Sequence, residues 1–321
     1  MRTRTLGETG ITISELTLGT WGLSGEAYGP VAAVERDRVI DRALELGVIS
    51  FETADVYGRG AMEKCLGERL TGKAVRVITK VGTQRPDVAS IAPGYEQSYK
   101  RFDREYLHEA VARSRERLKR DQIDVVLLHN PGLSTISRGD ATAALEELKE
   151  SGAIGAWGVS AGDAAVARAA LGQRAEVIEL AYNLFFSRDL HDLAADLADG
   201  KAGVLARSVL SYGLLAGQFA PGRTFPGDDH RANRWSPAEL ETRIKQLDAL
   251  RWLVQGQVHT LRAAAVRYVL ANSDVSTAVL GPKNVLQLEQ IVRETEPAPP
   301  YLADDALTRL PKELAQAGVP T

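Results

Sequence analysis

Residues 124–160 read DVVLLHNPGLSTISRGDATAALEELKESGAIGAWGVS, and they hold one complete unit of a recurring pattern. DVVLLH is a short apolar run closing on a histidine, the pattern of a strand buried on both faces. ATAALEELKESG then changes to apolar spacings of three and four, the period of a helix packed along one side, and AIGAWGVS returns to the strand pattern. A strand, a helix and a second strand in this order predict a βαβ unit with parallel strands.

The alternation extends in both directions. Upstream, ELTLG precedes VAAVERDRVIDRALELG, VISFE precedes AMEKCLGERL, and AVRVITK precedes EYLHEAVARSRERLKR. Downstream, AIGAWGVS leads into DAAVARAALG, AEVIELAYN into RDLHDLAADLADG, AGVLARS into a long insert and LRAAAVRYVLAN, and VSTAVLG into VLQLEQIVRE. Eight strand–helix pairs in 321 residues predict an α/β fold, a closed (β/α)8 TIM barrel, more than an open sheet. The opening RTLGETGITISEL alternates around a Gly-Glu-Thr-Gly turn and reads as an N-terminal β-hairpin placed to plug the barrel floor. Two long loops, VGTQRPDVASIAPGYEQSYKRF and FAPGRTFPGDDHRANRW, follow the third and seventh strands and so belong on the C-terminal, active face. With no repeat, linker or low-complexity tract, residues 1–321 read as a single barrel domain.

Composition excludes several function classes. The chain is 44% hydrophobic and 25% charged with a net charge of only -3, which gives no electrostatic footprint for nucleic acid. Nowhere do about 18 apolar residues run together, so neither a secretory leader nor a membrane span is expected, and a cytoplasmic protein is. The lone cysteine, Cys65, cannot form an intramolecular disulfide and falls on the buried stripe of a helix. His230 beside Asp228 and Asp229, and His191 beside Asp192, lack a second spaced ligand set, so no metal site is expected.

Polar residues at the carboxyl ends of barrel strands converge on one pocket. Four stand out: Glu52 ends VISFE, Tyr57 follows in its loop, Lys80 ends AVRVITK and His129 ends DVVLLH. Each alone has an ordinary structural reading, as a rim salt bridge or a satisfied histidine. Together they suit a reaction that protonates a carbonyl oxygen: an ammonium beside a tyrosine favours phenolate, an imidazole can bond the reacting oxygen, and a carboxylate holds the ammonium.

These segments also resemble the aldo-keto reductase family over almost the whole chain, from RTLGETGITISELTLGTWG to VLGPKNVLQLEQ. FETADVYGRGAMEKCLGERL is similar to the family's F-D-T-A-x-x-Y-G signature and its E-x-x-L-G helix; ITKVG, DVVLLHNP and GVLARSVLSYGLLAGQF resemble its lysine, histidine and A-x-S-P-L-x-x-G-x-L-x-G segments. The resemblance implies that Tyr57 is the general acid, that His129 orients the carbonyl and that Lys80 tunes Tyr57. Where the family places aspartate this chain has Glu52, which is expected to fold back and still hold Lys80, although displacing Lys80 or acting as an extra base are open alternatives.

No G-x-G-x-x-G follows a strand, which disfavours a Rossmann site. The resemblance instead implies a nicotinamide dinucleotide lying across the later strands, on Ser160, Glu179, Tyr182, Arg207, Ser208, Leu210, Gly213, Gly281, Lys283, Asn284, Gln287 and Gln290, with Tyr182 stacked on the nicotinamide. Lys283 and the helix opening at Asn284 favour the 2′-phosphate of NADPH, with NADH as the other possibility. Arg223, Arg231 and Arg234 are candidates for the diphosphate. Departures from the family pattern fall at Ala161, Glu179, Val209, Gln290 and Ile291; an ionised Glu179 can accept a hydrogen bond from a carboxamide but cannot donate one.

The expected function is reversible NADPH-dependent reduction of an aldehyde or ketone to an alcohol. Two other readings stay open: a catalytically weak barrel that binds a nucleotide or a partner, and a redox-neutral lyase or isomerase using Glu52 as base. Trp21 and Tyr28 are expected in the substrate pocket, with Trp157, Tyr95, Tyr99 and Phe102 as further aromatic candidates. A small-molecule carbonyl or alcohol is the expected partner, with no nucleic acid or membrane, and the chain is expected to be a monomer or weak homo-oligomer.

Overall fold

The computed structural model describes residues 1–85, 99–296, 298–299 and 301–319. Eight parallel strands close into a barrel: β3 (Leu16–Gly19), β4 (Ser50–Glu52), β5 (Arg76–Val81), β8 (Ile123–His129), β9 (Ile154–Ser160), β10 (Val177–Ala181), β11 (Gly203–Arg207) and β12 (Val275–Leu280), which pairs back onto β3. These are the eight runs picked out by the alternating sequence pattern. Two antiparallel ribbons flank them, β1 (Thr3–Thr5) with β2 (Thr12–Ser14), and β6 (Thr83–Gln84) with β7 (Tyr99–Lys100).

Side chains alternate along each strand, so one parity fills the barrel and the other meets the helices. The interior column is Ile78, Val125, Leu127, Ala156, Val177, Leu205 and Val279, all buried together with Leu6 and Ile13 of the N-terminal ribbon. Beneath it a hydroxyl layer satisfies itself: Thr17 bonds Ser50 at 2.7 Å and Thr277 at 2.8 Å, and Ser50 bonds Ser14 at 2.7 Å. The ribbon therefore closes the floor as expected. Its turn lies so close to β11 that a Cβ on Gly7, at φ +53°, would stand 2.3 Å from the Gly203 nitrogen. At the opposite end the same parity continues into Glu52, Lys80, His129, Ser160, Glu179 and Arg207, so the register that packs the core also aims these polar groups at one mouth.

The outer layer is a second apolar core between strands and helices. Its helices are α1 (Ala33–Glu45), α2 (Ala61–Leu70), α3 (Arg104–Leu118), α4 (Leu133–Arg138), α5 (Asp140–Glu150), α6 (Ala164–Gly172), α7 (Arg188–His191), α8 (Ala194–Gly200), α9 (Pro237–Asp248), α10 (Leu261–Ala271), α11 (Val285–Thr295) and α12 (Asp304–Gln316). Asp103, Asp163, Ser236, Thr260 and Asn284 cap α3, α6, α9, α10 and α11 with side-chain oxygens, satisfying amides that a helix start leaves unpaired. Cys65 packs inside this layer with its thiol pushed up to about 11 by burial, in keeping with a structural role. No helix among the described residues is long and apolar enough to cross a membrane.

Candidate active site

A cavity of about 750 Å³ opens at the carboxyl ends of the barrel strands, and Glu52, Tyr57, Lys80 and His129 all line it. β4 delivers Glu52; the loop that follows turns through a left-handed Gly58 and Arg59 and sets the buried Tyr57 ring over the barrel mouth. Lys80, at the end of β5, donates to the Tyr57 hydroxyl at 3.3 Å and to the Thr53 carbonyl at 3.5 Å. Its ammonium pairs with Glu52 and also stands 3.5 Å from Glu179 Oε1 across the barrel. Glu52 thus folds back onto Lys80. Gly19 makes room for the extra methylene, since a Cβ there would lie 3.1 Å from Glu52 Oε2 and 2.9 Å from Val279 Cγ1.

The Tyr57 phenol is held above its ordinary value, first by burial and then by the charge of Glu179, with Arg207 opposing. Burial and the charge of Glu179 thus outweigh the neighbouring cations, so the phenol stays protonated although the Lys80 ammonium stands beside it. Burial brings Lys80 itself down to about 8, against the pull of Glu179. Burial, then Lys80, Lys100 and Arg207, keep His129 well below 6.5, so its ring is neutral at physiological pH. That ring meets Tyr57 edge-on at 6.0 Å between centroids, and Trp21 stacks on the other side of Tyr57 at 6.5 Å.

The cavity runs from this cluster along β11 and β12 to α11. Ser160, Glu179, Arg207, Ser208, Leu210, Gly213, Gly281, Lys283, Gln287 and Gln290 line it, as do Trp21 and Tyr28. Two expected cofactor residues do not. Tyr182 turns its ring outward, 2% exposed, stacked on Tyr268 at 5.3 Å and bonded to His191 at 3.2 Å. Tyr182 follows β10 directly, and continuing the strand's alternation gives it the parity opposite to Glu179, so an inward Glu179 goes with an outward Tyr182. Asn284 spends its side chain capping α11, accepting from the Gln287 amide at 2.9 Å. Lys283 donates to the Tyr28 carbonyl and, at 3.5 Å, to that of Gly29.

Of the candidate arginines, Arg223 and Arg231 line the cavity, Arg231 paired with Asp229; Arg234 instead covers the Tyr212 ring at 3.4 Å. Trp157 is core, its indole bonded to Glu146 at 2.5 Å, and Phe102 packs against Gly82. Tyr99 is exposed, and Tyr95 lies outside the described residues. Among the described residues no cluster of His, Cys, Asp or Glu could hold a metal ion.

Sequence reading missed Thr83, Arg85, Lys100, Asn130 and Tyr212, which also line the cavity. Asn130 follows His129 directly, so its place at a strand end was a usable signal; Thr83 and Lys100 meet only because β6 pairs with β7. Non-glycine residues with positive φ gather at this mouth, Asn130 at 49°, Ser208 at 57° and Tyr212 at 58°, as strained backbone does where function fixes a loop.

The arrangement offers a protonated phenol beside a neutral imidazole, with a long groove leading away. The groove suits an extended nicotinamide dinucleotide: Glu179 Oε2 is buried without a protein partner, an acceptor awaiting a donor such as a carboxamide, and Arg223 and Lys283 supply positive charge at the far end.

Comparison with known proteins agrees. The sequence model of the Aldo/keto reductase family matches residues 15–298. The chain is 31% identical to the NADH-specific methylglyoxal reductase of Escherichia coli over 97% of this chain and 98% of that protein. It is 29% identical to the aldo-keto reductase YhdN of Bacillus subtilis, over 91% of this chain and 88% of that one. In structure it is similar to a glycerol dehydrogenase from Gluconobacter oxydans, with a TM-score of 0.84 and 25% identity over 99% and 97% of the two chains.

Proposed function

Because the chain belongs to the aldo/keto reductase family and is therefore an NAD(P)H-dependent oxidoreductase, we propose that it uses NADPH to reduce an aldehyde or ketone reversibly to an alcohol, with Tyr57 as general acid. The observation that carries this reading is the Tyr57 hydroxyl held by Lys80 at 3.3 Å beside a neutral His129 in the one wall of the cavity where the strand ends converge.

Bound in the groove that Glu179 and Arg207 line, a reduced nicotinamide would supply the hydride for carbonyl reduction. Tyr57 gives its proton to the carbonyl oxygen, and its raised pKa keeps that proton in place until charge develops on the oxygen. His129, neutral, bonds the same oxygen and orients it. Lys80 stabilises the phenolate that forms, and Glu52 fixes Lys80. Glu179, with Ser160 next to it on β9, would hold the carboxamide end of the cofactor, and Arg207 lies alongside. Lys283, which lines the groove, is the support for NADPH over NADH, since the Val285 and Gln287 amides at the start of α11 are taken by Glu35 and Asn284. Trp21 and Tyr28, with ring centroids 5.6 Å apart, give the substrate an aromatic wall. Engagement of Glu52 by Lys80 leaves the redox-neutral reading, which needs Glu52 as a free base, without support.

The test is a fluorescence titration with NADPH and NADH, followed by a carbonyl screen using Tyr57→Phe as control. Tighter binding of NADPH and turnover that disappears in Tyr57→Phe are expected; absence of binding by either nucleotide refutes the assignment.

A further inference from the structure

The cavity carries a positive group that the chemistry above does not use. Lys100, on β7, donates to Thr83 Oγ1 at 2.6 Å and to the backbone carbonyl of His129 at 2.7 Å. Two of its three N–H bonds are thereby fixed, and the third is left for the cavity that Lys100 lines. Among the described residues it forms no ion pair. The acid that acts on it, Asp55, does not line the cavity, and its own carboxyl is pushed up to about 8 by burial, so it provides little neutralising charge.

Two groups beside Lys100 have hydrogen bonds left to donate. Thr83 gives a lone pair to Lys100 and keeps its hydroxyl proton to donate. Asn130, held at φ 49° with its backbone amide on the Ser160 carbonyl at 3.0 Å, lines the same wall with an exposed side-chain amide. Arg85, the other cation on this side, adds no net charge because Glu26 takes it at 2.7 and 2.9 Å. This wall lies by β5 and β8, across the barrel from β11 and β12, where Arg223 and Lys283 serve the proposed dinucleotide, so the cofactor does not account for it.

We propose that Thr83, Lys100 and Asn130 form an anion subsite, and that the substrate is an aldehyde or ketone carrying a carboxylate. The inference rests on reading the cavity as the site of carbonyl reduction. One ammonium, one hydroxyl and one amide match a single negative charge; a phosphate dianion would call for the second cation that Arg85, already paired, does not provide. The ammonium is bonded to the carbonyl of His129, so the carboxylate is anchored next to the residue that orients the reacting oxygen. Because its two protein contacts hold the ammonium in place beforehand, little ordering remains when the anion binds.

The experiment compares para-carboxybenzaldehyde with its neutral methyl ester in the NADPH-loaded protein, as wild type, Lys100→Met and Lys100→Arg. The wild-type ratio of kcat/KM, acid over ester, is expected to be about 10 or more, to fall towards one in Lys100→Met and to persist in Lys100→Arg. A wild-type ratio near one, or one unchanged in Lys100→Met, overturns the subsite. If the wild type reduces neither aldehyde, the carbonyl-reduction reading fails, and calorimetry with para-(hydroxymethyl)benzoate decides the subsite separately: binding at least about 10-fold weaker in Lys100→Met supports it, and equal or absent binding overturns it.

Discussion

Shortening Glu52 by one methylene tests the central ion pair most directly. Glu52→Asp draws the carboxylate back by about one C–C bond length, roughly 1.5 Å. The backbone cannot follow, because β4 is hydrogen-bonded in register on both sides, Glu52 opposite Gly19 and Ile78. Lys80 then loses its contact partner and keeps Glu179, 3.5 Å away across the barrel, as its remaining carboxylate. A shift of Lys80 towards Glu179 lengthens the 3.3 Å bond to Tyr57. Displacements near 1 Å at reacting groups cost on the order of 100-fold in rate, so kcat is expected to fall by about 10- to 100-fold, or ~1.4–2.7 kcal/mol in barrier. NADPH affinity by fluorescence should change little. Steady-state NADPH consumption with Tyr57→Phe as the floor measures the effect, and thermal unfolding confirms an intact fold. A kcat equal to or above wild type would show that Lys80 follows the shorter side chain, and the argument from fixed strand register would then be wrong.

Two further outcomes follow from the buried acids. Glu179→Gln removes a negative charge that raises the Tyr57 pKa, so alcohol oxidation, which needs the phenolate to take up a proton, should gain rate at lower pH; a pH–rate profile whose rising limb stays put or moves upward contradicts this. Asp55 has its carboxyl raised from 3.8 to about 8 by burial, with Glu63 adding, so it costs the folded state stability increasingly as pH rises from about 4 to about 8, the window in which the unfolded chain has already released that proton. Asp55→Asn should therefore stabilise the protein by on the order of 5 kcal/mol at pH 8 and by little near pH 4, and denaturant unfolding at the two pH values checks both the size and the sign.

Much of the barrel was legible because each strand is short, apolar and followed by a helix of different period. The gaps have specific causes. α9 begins at a capping box, Ser236 with Glu239, but lies inside a segment dominated by proline, glycine and charge. The run at 188–200 reads as one helix and folds as α7 and α8 with a break between them. At the site, strand ends pointed to Glu52, Lys80 and His129, since a residue's position on a parallel strand fixes both its face and its height. The same rule, applied from Glu179, places Tyr182 outward, and an Asn at the start of α11 with a polar partner three residues on is a helix cap before it is a ligand. Lys100 was hidden because its place depends on the pairing of the two-residue strands β6 and β7, which are too short to carry a periodic signal.

The departures from the family pattern make more sense as a group than singly. A buried carboxylate such as Glu179, 1% exposed and with one oxygen lacking a protein partner, is costly unless charge balances it. Lys80 alone cannot balance both Glu52 and Glu179. Arg207 supplies the second positive charge; it donates to the Ala161 carbonyl at 2.9 Å and acts on both Tyr57 and Lys80. Two carboxylates and two cations leave the mouth of the barrel near neutrality, where a single Lys–carboxylate pair would also leave it. What changes is the local field at Tyr57: Glu179 raises the phenol while Arg207 lowers it, and burial decides the sign. A phenol held protonated in this way is a donor at every physiological pH, which favours reduction, and the oxidative direction has to wait for higher pH or for the positive charge that an oxidised nicotinamide would bring to the same wall.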